Sequence, residues 1–368
     1  MKQIHAYVSA AGHSKWQFIC CLLLLASCYI SATAKPRQTV GILTLTAKSL
    51  VKQISKQYEN ELLSISPNIE ETIENASFIA ESYVQWLDSV DLKAVPLDIH
   101  LDDDTMMAEI EKFDALLLTG GSQSFYIKNK DERRNLEEQL TGSPVEKIPD
   151  EYLLKVSKIV KKVKQINDEK RKYPMWATCL GFEATLITET NFTLTRHQVD
   201  NELKAPLPIK IYNSETKSIQ FFTKHEQEIF DKKNLFYFNH KFGLYLNEVM
   251  SNKYLKDSIV PVATINKNNK EILVWYEYIN YPFIGSQFHP EKFESKVNDD
   301  YETLFQKNIN HKMALLFKSM IDTNSNYLSD ASNDEEFETE ATDTHFDLYN
   351  IGMYNHINFY IKASNSRA

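Results

Sequence analysis

Residues 173–187, YPMWATCLGFEATLI, constrain the fold more than any other stretch. Met175, Trp176, Ala177 and Thr178 read as a short apolar strand, Cys179 falls at a turn, and Leu180 and Gly181 open a helix. A strand that breaks sharply into a helix lifts one side chain out of the sheet. It also sets the backbone N–H groups of the helix's first turn beside that side chain. Such a turn can carry a nucleophile.

Upstream, the same alternation repeats. Residues 39–45 (TVGILTL) form a strand candidate, and residues 78–90 (FIAESYVQWLDSV) place Phe78, Ile79, Tyr83, Trp86, Leu87 and Val90 at helical spacing. A strand over 94–99, a short helix over 105–112 and a buried strand over 113–119 (FDALLLT) come next. Residues 152–166 form an amphipathic helix whose lysines read as a solvated face. Strand and helix in strict alternation predict a parallel sheet with helices on both faces. Sites in such sheets form outside the carboxyl ends of the strands, where Gly120, Gly121 and Cys179 all fall. Asp98 and Asp102 to Asp104 read as a solvated helix start, and no metal site is expected.

Residues 191–270 hold short aromatic and β-branched runs, 218–223 and 235–239 among them, and read as extra strands and loops. Residues 272–278 and 281–288 predict a strand pair leading into His289-Pro290-Glu291-Lys292, and residues 301–321 predict a helix. The acidic, Ser/Thr-rich segment 324–347 reads as a disordered loop or a linker, and 348–361 as a returning strand.

Residues 1–34 read as a secretory signal. Lys2 and Lys15 precede a 13-residue apolar run (18–30), and Ala32-Thr33-Ala34 is a cleavage signature. The run is short of the roughly 20 residues that span a bilayer, and no later run is longer, so no membrane anchor is expected. Removing the signal takes Cys20, Cys21 and Cys28 with it, which leaves Cys179 as the one cysteine of residues 35–368. The sequons at Asn75 and Asn191 become candidate glycosylation sites. A formal net charge of −9 argues against a nucleic-acid partner.

A thiol nucleophile needs a lowered pKa or an adjacent base, and the base needs an orienting group. The helix N-terminus is expected to lower the Cys179 pKa; His289 is the candidate base and Glu291 the carboxylate that holds it. The N–H groups of Leu180 and Gly121 are candidate oxyanion donors.

The motifs Thr178-Cys179-Leu180-Gly181-Phe182-Glu183 and Gln287-Phe288-His289-Pro290-Glu291-Lys292 resemble those of gamma-glutamyl hydrolases, a branch of the class I glutamine amidotransferase-like group. The resemblance extends over most of residues 35–368, including LLLTGGS and the NHKF segment. It implies a flavodoxin-like α/β sandwich, often dimeric, found in lysosomes, vacuoles or outside the cell, with no cofactor. It assigns Cys179 as nucleophile, His289 as base and acid, Glu291 as orienting carboxylate and Glu183 as support, and places His240 near a poly-γ-glutamyl substrate such as a folate polyglutamate. Ala177 stands where that family usually has glycine, and Phe78 where it has a tyrosine. A glutaminase subunit feeding a synthase, and a catalytically silent binding protein on the same scaffold, are the rival expectations.

Overall fold

A computed structural model describes residues 36–46, 76–127, 148–169, 171–292 and 301–322. The expected signal, Asn75, the acidic segment 324–347 and the returning strand 348–361 lie outside the described residues. Residues from Gln38 onward form one compact unit.

Strand β1 (Thr39–Leu43) is followed by a short β2 (Leu45–Thr46), which pairs with β3 (Ser77–Phe78). Helix α1 (Glu81–Asp88) therefore starts later than the apolar spacing predicts, because the backbone of Phe78 is taken by the two-stranded ladder. Then come β4 (Lys93–Leu97), α2 (Asp103–Ile110), β5 (Ala115–Leu118), α3 (Glu151–Glu169), β6 (Met175–Thr178) and α4 (Leu180–Glu189). The Asp102 side chain accepts the Thr105 N–H at 2.9 Å, so this acidic run starts a helix, as its composition suggests.

The second half holds β7 (His197–Leu207), β8 (Lys210–Ile211), α5 (Lys217–Gln220), α6 (Lys224–Ile229), β9 (Phe236–Tyr245) and α7 (Leu246–Ser251). It ends with β10 (Ile259–Lys267), β11 (Lys270–Tyr278), β12 (Phe283–Ser286) and α8 (Tyr301–Ile321). Residues 218–220, expected as extended, are helical: the turn starts after Thr216, whose side chain does not cap it, and Glu277 instead accepts the N–H groups of Lys217 and Ser218.

The main sheet runs β4-β1-β5-β6-β12-β11-β10-β8, with the first five strands parallel and the rest antiparallel. Taken in chain order, the parallel strands follow the 2-1-3-4-5 order of flavodoxin-like folds. Each buried strand feeds two cores by alternation. Ala115, Leu117, Trp176 and Ile284 face α1 and α8, whereas Leu116, Leu118, Met175, Ala177 and Phe283 face α2, α3 and α4. On the first face Trp86, Trp176 and Phe317 pack within 5.4–6.2 Å of one another, and Trp86 Nε1 donates to Asn310 O at 3.0 Å. That cluster ties α1 and α8 to the strand that leads to Cys179.

One lysine of α3 departs from the solvated face expected for it. Lys155 is buried and its ammonium donates to Ile99 O and Leu101 O at 2.5 Å, closing the carbonyls beyond β4. Lys158 does reach outward, to Asp103, while Lys162 and Lys164 are half-buried in pairs with Glu111 and Glu189.

Candidate active site

Three parallel strands deliver the site. β5 ends in Thr119-Gly120-Gly121, β6 in Cys179 and β12 in Gln287-Phe288-His289. β6 and β12 pair in register, Thr178 with Ser286, and the Cys179 N–H continues the ladder to Ser286 O at 2.7 Å. A motif more than a hundred residues downstream is thereby laid beside the cysteine.

Cys179 has φ 50° and ψ −98°, a region that costs a non-glycine residue of order 1–3 kcal/mol. The first turn of α4 holds this strained backbone in place. Gly181 N–H donates to Thr119 O at 3.2 Å, Glu183 N–H to Cys179 O at 3.1 Å, and a Cβ on Gly181 would stand 2.7 Å from Leu118 O. Only glycine lets α4 press this closely on the end of β5.

The thiol is buried. It donates weakly to Asn239 O at 3.9 Å, and Gln287 Nε2 lies 3.7 Å from its sulfur. The expected lowering of its pKa is not what the surroundings produce. Burial, then the charge of Glu183, push the Cys179 thiol up to about 12; Lys292 and the Leu180 N–H oppose them, and Glu291 adds to the rise. The helix terminus acts in the expected direction but loses to desolvation and two carboxylates. A neutral thiol of this kind becomes a nucleophile only by giving its proton to a neighbouring base.

His289 is the candidate for that group. Its Nδ1 lies 2.7 Å from Glu291 Oε1, both side chains are buried, and its backbone N–H donates to Tyr237 O at 2.8 Å. Burial lowers the His289 pKa below the usual 6.5; Glu291 pulls it back up and Lys292 pushes it down. Burial would raise the Glu291 carboxyl, but His289 and Lys292 outweigh it and hold it below the carboxylate range. The pair is therefore a neutral imidazole donating Nδ1–H to a carboxylate, which leaves Nε2 as the acceptor. Nε2 has no partner among the described residues.

Cys179 and His289 both close on Gly120. From the point where a Cβ on Gly120 would stand, His289 Cε1 is 2.6 Å away, Tyr83 Oη 3.0 Å and Cys179 Cβ 3.2 Å. The same construction on Gly121 meets Leu45 Cδ1 at 2.3 Å and Leu180 Cδ2 at 3.5 Å. The double glycine does more than expose backbone: at Gly120 it makes the room in which the site assembles. A buried thiol, an imidazole held by a carboxylate and a glycine-lined strand end are the parts that acyl transfer through a covalent intermediate would need.

No protein-family profile matches the chain. Curated relatives do. It is 24% identical over 277 residues to the gamma-glutamyl hydrolase of Rattus norvegicus, covering 74% of this chain and 77% of that one. It is 27% identical over 221 residues to the probable gamma-glutamyl hydrolase 3 of Arabidopsis thaliana (59% of this chain, 56% of the other) and 27% identical over 217 residues to the human gamma-glutamyl hydrolase (58% and 61%). The chain is similar to the gamma-glutamyl hydrolases. It spans little more than half the length of the Arabidopsis relative. Two solved structures also match. One is a Thermoplasma acidophilum protein described as a GMP synthase component (TM-score 0.40, 12% identity, 76% of this chain and 95% of that one). The other is PurLQS from Thermotoga maritima (TM-score 0.40, 13% identity, 76% and 99%).

Of the other residues singled out in the sequence, Glu183 and His240 lie beside Cys179 or its contacts, and Asn191 lies beyond the far end of α4. Glu183 is buried one helical turn beyond Cys179 and pairs with Arg196 Nη1 at 2.9 Å; burial raises its pKa and Arg196 and Gln287 draw it down. His240 follows the Asn239 carbonyl that meets the thiol, and its Nδ1 lies 2.5 Å from Phe242 O. Asn191 is exposed just beyond α4, with φ 51°, and Thr193 Oγ1 donates to Thr190 O at 2.8 Å. Phe78 is half-buried in β3, and Ala177 is fully buried opposite Gly285. Among the described residues no cluster of histidine, cysteine or acidic side chains could hold a metal, and no helix is long and apolar enough to cross a membrane.

Sequence alone does not single out two of the participants. Tyr83 sits in the helical apolar pattern of 78–90 and is indistinguishable there from a core residue. Arg196 lies in a stretch without periodicity; its guanidinium is held 3.9 Å from the Phe125 ring centroid and 4.6 Å from that of Phe242.

Proposed function

We propose that this chain is a cysteine hydrolase that cleaves γ-glutamyl isopeptide bonds, with folate poly-γ-glutamates as the substrate class. The observation that carries the reading is the 2.7 Å His289–Glu291 pair placed over Gly120 beside the strained Cys179 turn. Similarity to gamma-glutamyl hydrolases of plant and mammal supports the choice of bond.

Cys179 Sγ attacks the γ-carbonyl carbon as its proton passes to His289 Nε2. The carbonyl oxygen takes the negative charge against the Gly121 and Leu180 N–H groups. The C–N bond breaks with the proton of His289 going to the leaving amine, and a thioester to Cys179 remains. Water then attacks that carbonyl, giving a proton to His289 Nε2. The C–S bond breaks, and the sulfur recovers the proton from the imidazolium. Glu291 stays ionised throughout and holds the ring. The thiol's high pKa fits this order, because a charge separated in advance in so buried a site would be costly.

The reading is tested by incubating the purified protein with folate pentaglutamate, beside Cys179→Ala. Chain shortening by the wild type that disappears in the variant is expected. No shortening, or shortening that persists in Cys179→Ala, overturns the proposal.

A further inference from the structure

Tyr83 has no part in the steps above, yet its hydroxyl lies at their centre. It stands on α1, 2% exposed, with Trp86 of the same helix packed on Trp176 of the nucleophile strand. The Gly120 N–H donates to its Oη at 2.7 Å. Oη also shares with His289 Cε1 and Cys179 Cβ the small volume above Gly120. Burial, reinforced by the charge of Glu291, pushes the phenol well above the ordinary tyrosine range, so the group is a neutral O–H with a proton to donate. The charge of Glu291 is close enough to act on it, and Glu291 Oε2 has no hydrogen-bond partner among the described residues.

A hydroxyl in this position accepts from the N–H of the Thr119–Gly120 peptide, the link before the one that carries the Gly121 N–H. Resting on the γ-glutamyl hydrolase reading above, we propose that Tyr83 is a positioning residue for that reaction. By accepting the Gly120 N–H it fixes the Thr119–Gly120 peptide, and through it sets the direction of the next N–H, that of Gly121, toward the oxygen of the tetrahedral intermediate. Core packing alone does not require the oxygen, since phenylalanine fills the same volume. The requirement comes from the Gly120 N–H, a half-buried donor whose only acceptor among the described residues is Tyr83 Oη.

The test uses Tyr83→Phe, which removes one atom and keeps the ring. Three quantities are measured on the purified protein: kcat and KM on folate pentaglutamate, the affinity of a γ-glutamyl aldehyde, and the affinity of folate diglutamate as a product-like ligand. The aldehyde carbon bonds to Cys179 Sγ, and its oxygen takes the place of the intermediate's. Active-site concentration is set by alkylation of Cys179, so that only folded protein is counted. Loss of one direct oxyanion donor costs about 10²–10³ in kcat, and an indirect role sets the expectation at ~10–10²-fold. In Tyr83→Phe, kcat falls by that factor with KM within about threefold. Aldehyde affinity falls in step with kcat/KM, and folate diglutamate affinity is unchanged. A kcat within about threefold of wild type, or aldehyde and diglutamate affinities that fall together, overturns the inference. A wild type that cleaves no γ-glutamyl bond would instead defeat the reading on which it rests.

Discussion

At Gly120 one absent methyl group decides whether the site can exist. A Cβ there would press on His289 Cε1 at 2.6 Å and on Cys179 Cβ at 3.2 Å, and neither belongs to a long side chain that could swing away. Gly120→Ala is therefore expected to lower kcat/KM by at least about 10²-fold while moving the thermal midpoint by only a few degrees, as activity assays and calorimetry on the same preparation would show. Glu291 acts at the same scale. Glu291→Gln keeps the volume but allows the imidazole the wrong tautomer, a change that costs about 10⁴ in kcat in a comparable triad. Its pH dependence carries a sign. In the proposed reaction the base is neutral His289, whose pKa lies below 6.5 because burial outweighs Glu291. Wild-type activity should thus hold as pH falls through 6.5 and decline only below it. Removing Glu291 deletes the group that raises the pKa, so the residual activity of Glu291→Gln should decline at still lower pH. A pH–rate profile of kcat/KM checks both. An acid limb above 6.5 would contradict the assignment.

Among the elements, the βα units are legible in the sequence and the exceptions are local. The strands at β1, β5 and β6, the helices α3 and α8 and the turn at Cys179 follow from apolar runs and spacing, because a strand covered on both faces tolerates little else. The start of α1 is not legible: Phe78 and Ile79 have helical spacing, but pairing of β2 with β3 claims Phe78 first. Lys155 reads as solvated because its neighbours on α3 are, whereas two orphan carbonyls beyond β4 draw its ammonium inward. The thiol pKa escapes the sequence for a similar reason, since local pattern shows a helix start but not the depth at which it is buried. The tightest junction is α4 on β5. Gly181→Ala would place a Cβ 2.7 Å from Leu118 O, a backbone atom that cannot give way easily. The expected cost is about 1–3 kcal/mol, read as a lower urea midpoint at unchanged m-value, with loss of activity as Cys179 is displaced. At the head of α3, Asp150 caps Leu153 N–H at 3.0 Å, yet burial lifts its carboxyl to about 6. An acid whose folded pKa is raised favours folding below the unfolded value and loses that contribution as pH rises through the folded one. Between about pH 4 and 6 this group should erode stability, and Asp150→Asn, which retains an accepting oxygen, should flatten the unfolding midpoint over that interval.

For the molecule as a whole, the five parallel strands build the site's floor and the antiparallel half supplies its walls. β12 carries His289 and Glu291 to Cys179, and β9 brings in Asn239 and His240. Local pattern goes only part of the way: the stretch holding β9 and β10 reads as extra strands and loops, 272–278 and 281–288 read as a strand pair, and the register that lays β12 beside β6 comes from the sheet. Arg196, just before β7, joins the two halves through Glu183 of α4. Glu183 is almost fully buried, so Arg196→Met would leave an uncompensated carboxylate and is expected to cost about 3–5 kcal/mol at neutral pH. Adding Glu183→Gln should return much of it, as a double-mutant cycle in urea would measure. The central claim concerns Cys179 itself. The most direct measurement is intact-mass and peptide analysis of the protein after exposure to a γ-glutamyl diazoketone, which alkylates an activated nucleophile at the γ-carbonyl position. One adduct is predicted, on the peptide carrying Cys179, formed at least about 10²-fold more slowly in His289→Ala. An adduct on another residue, or none while folate pentaglutamate is still being shortened, would contradict it.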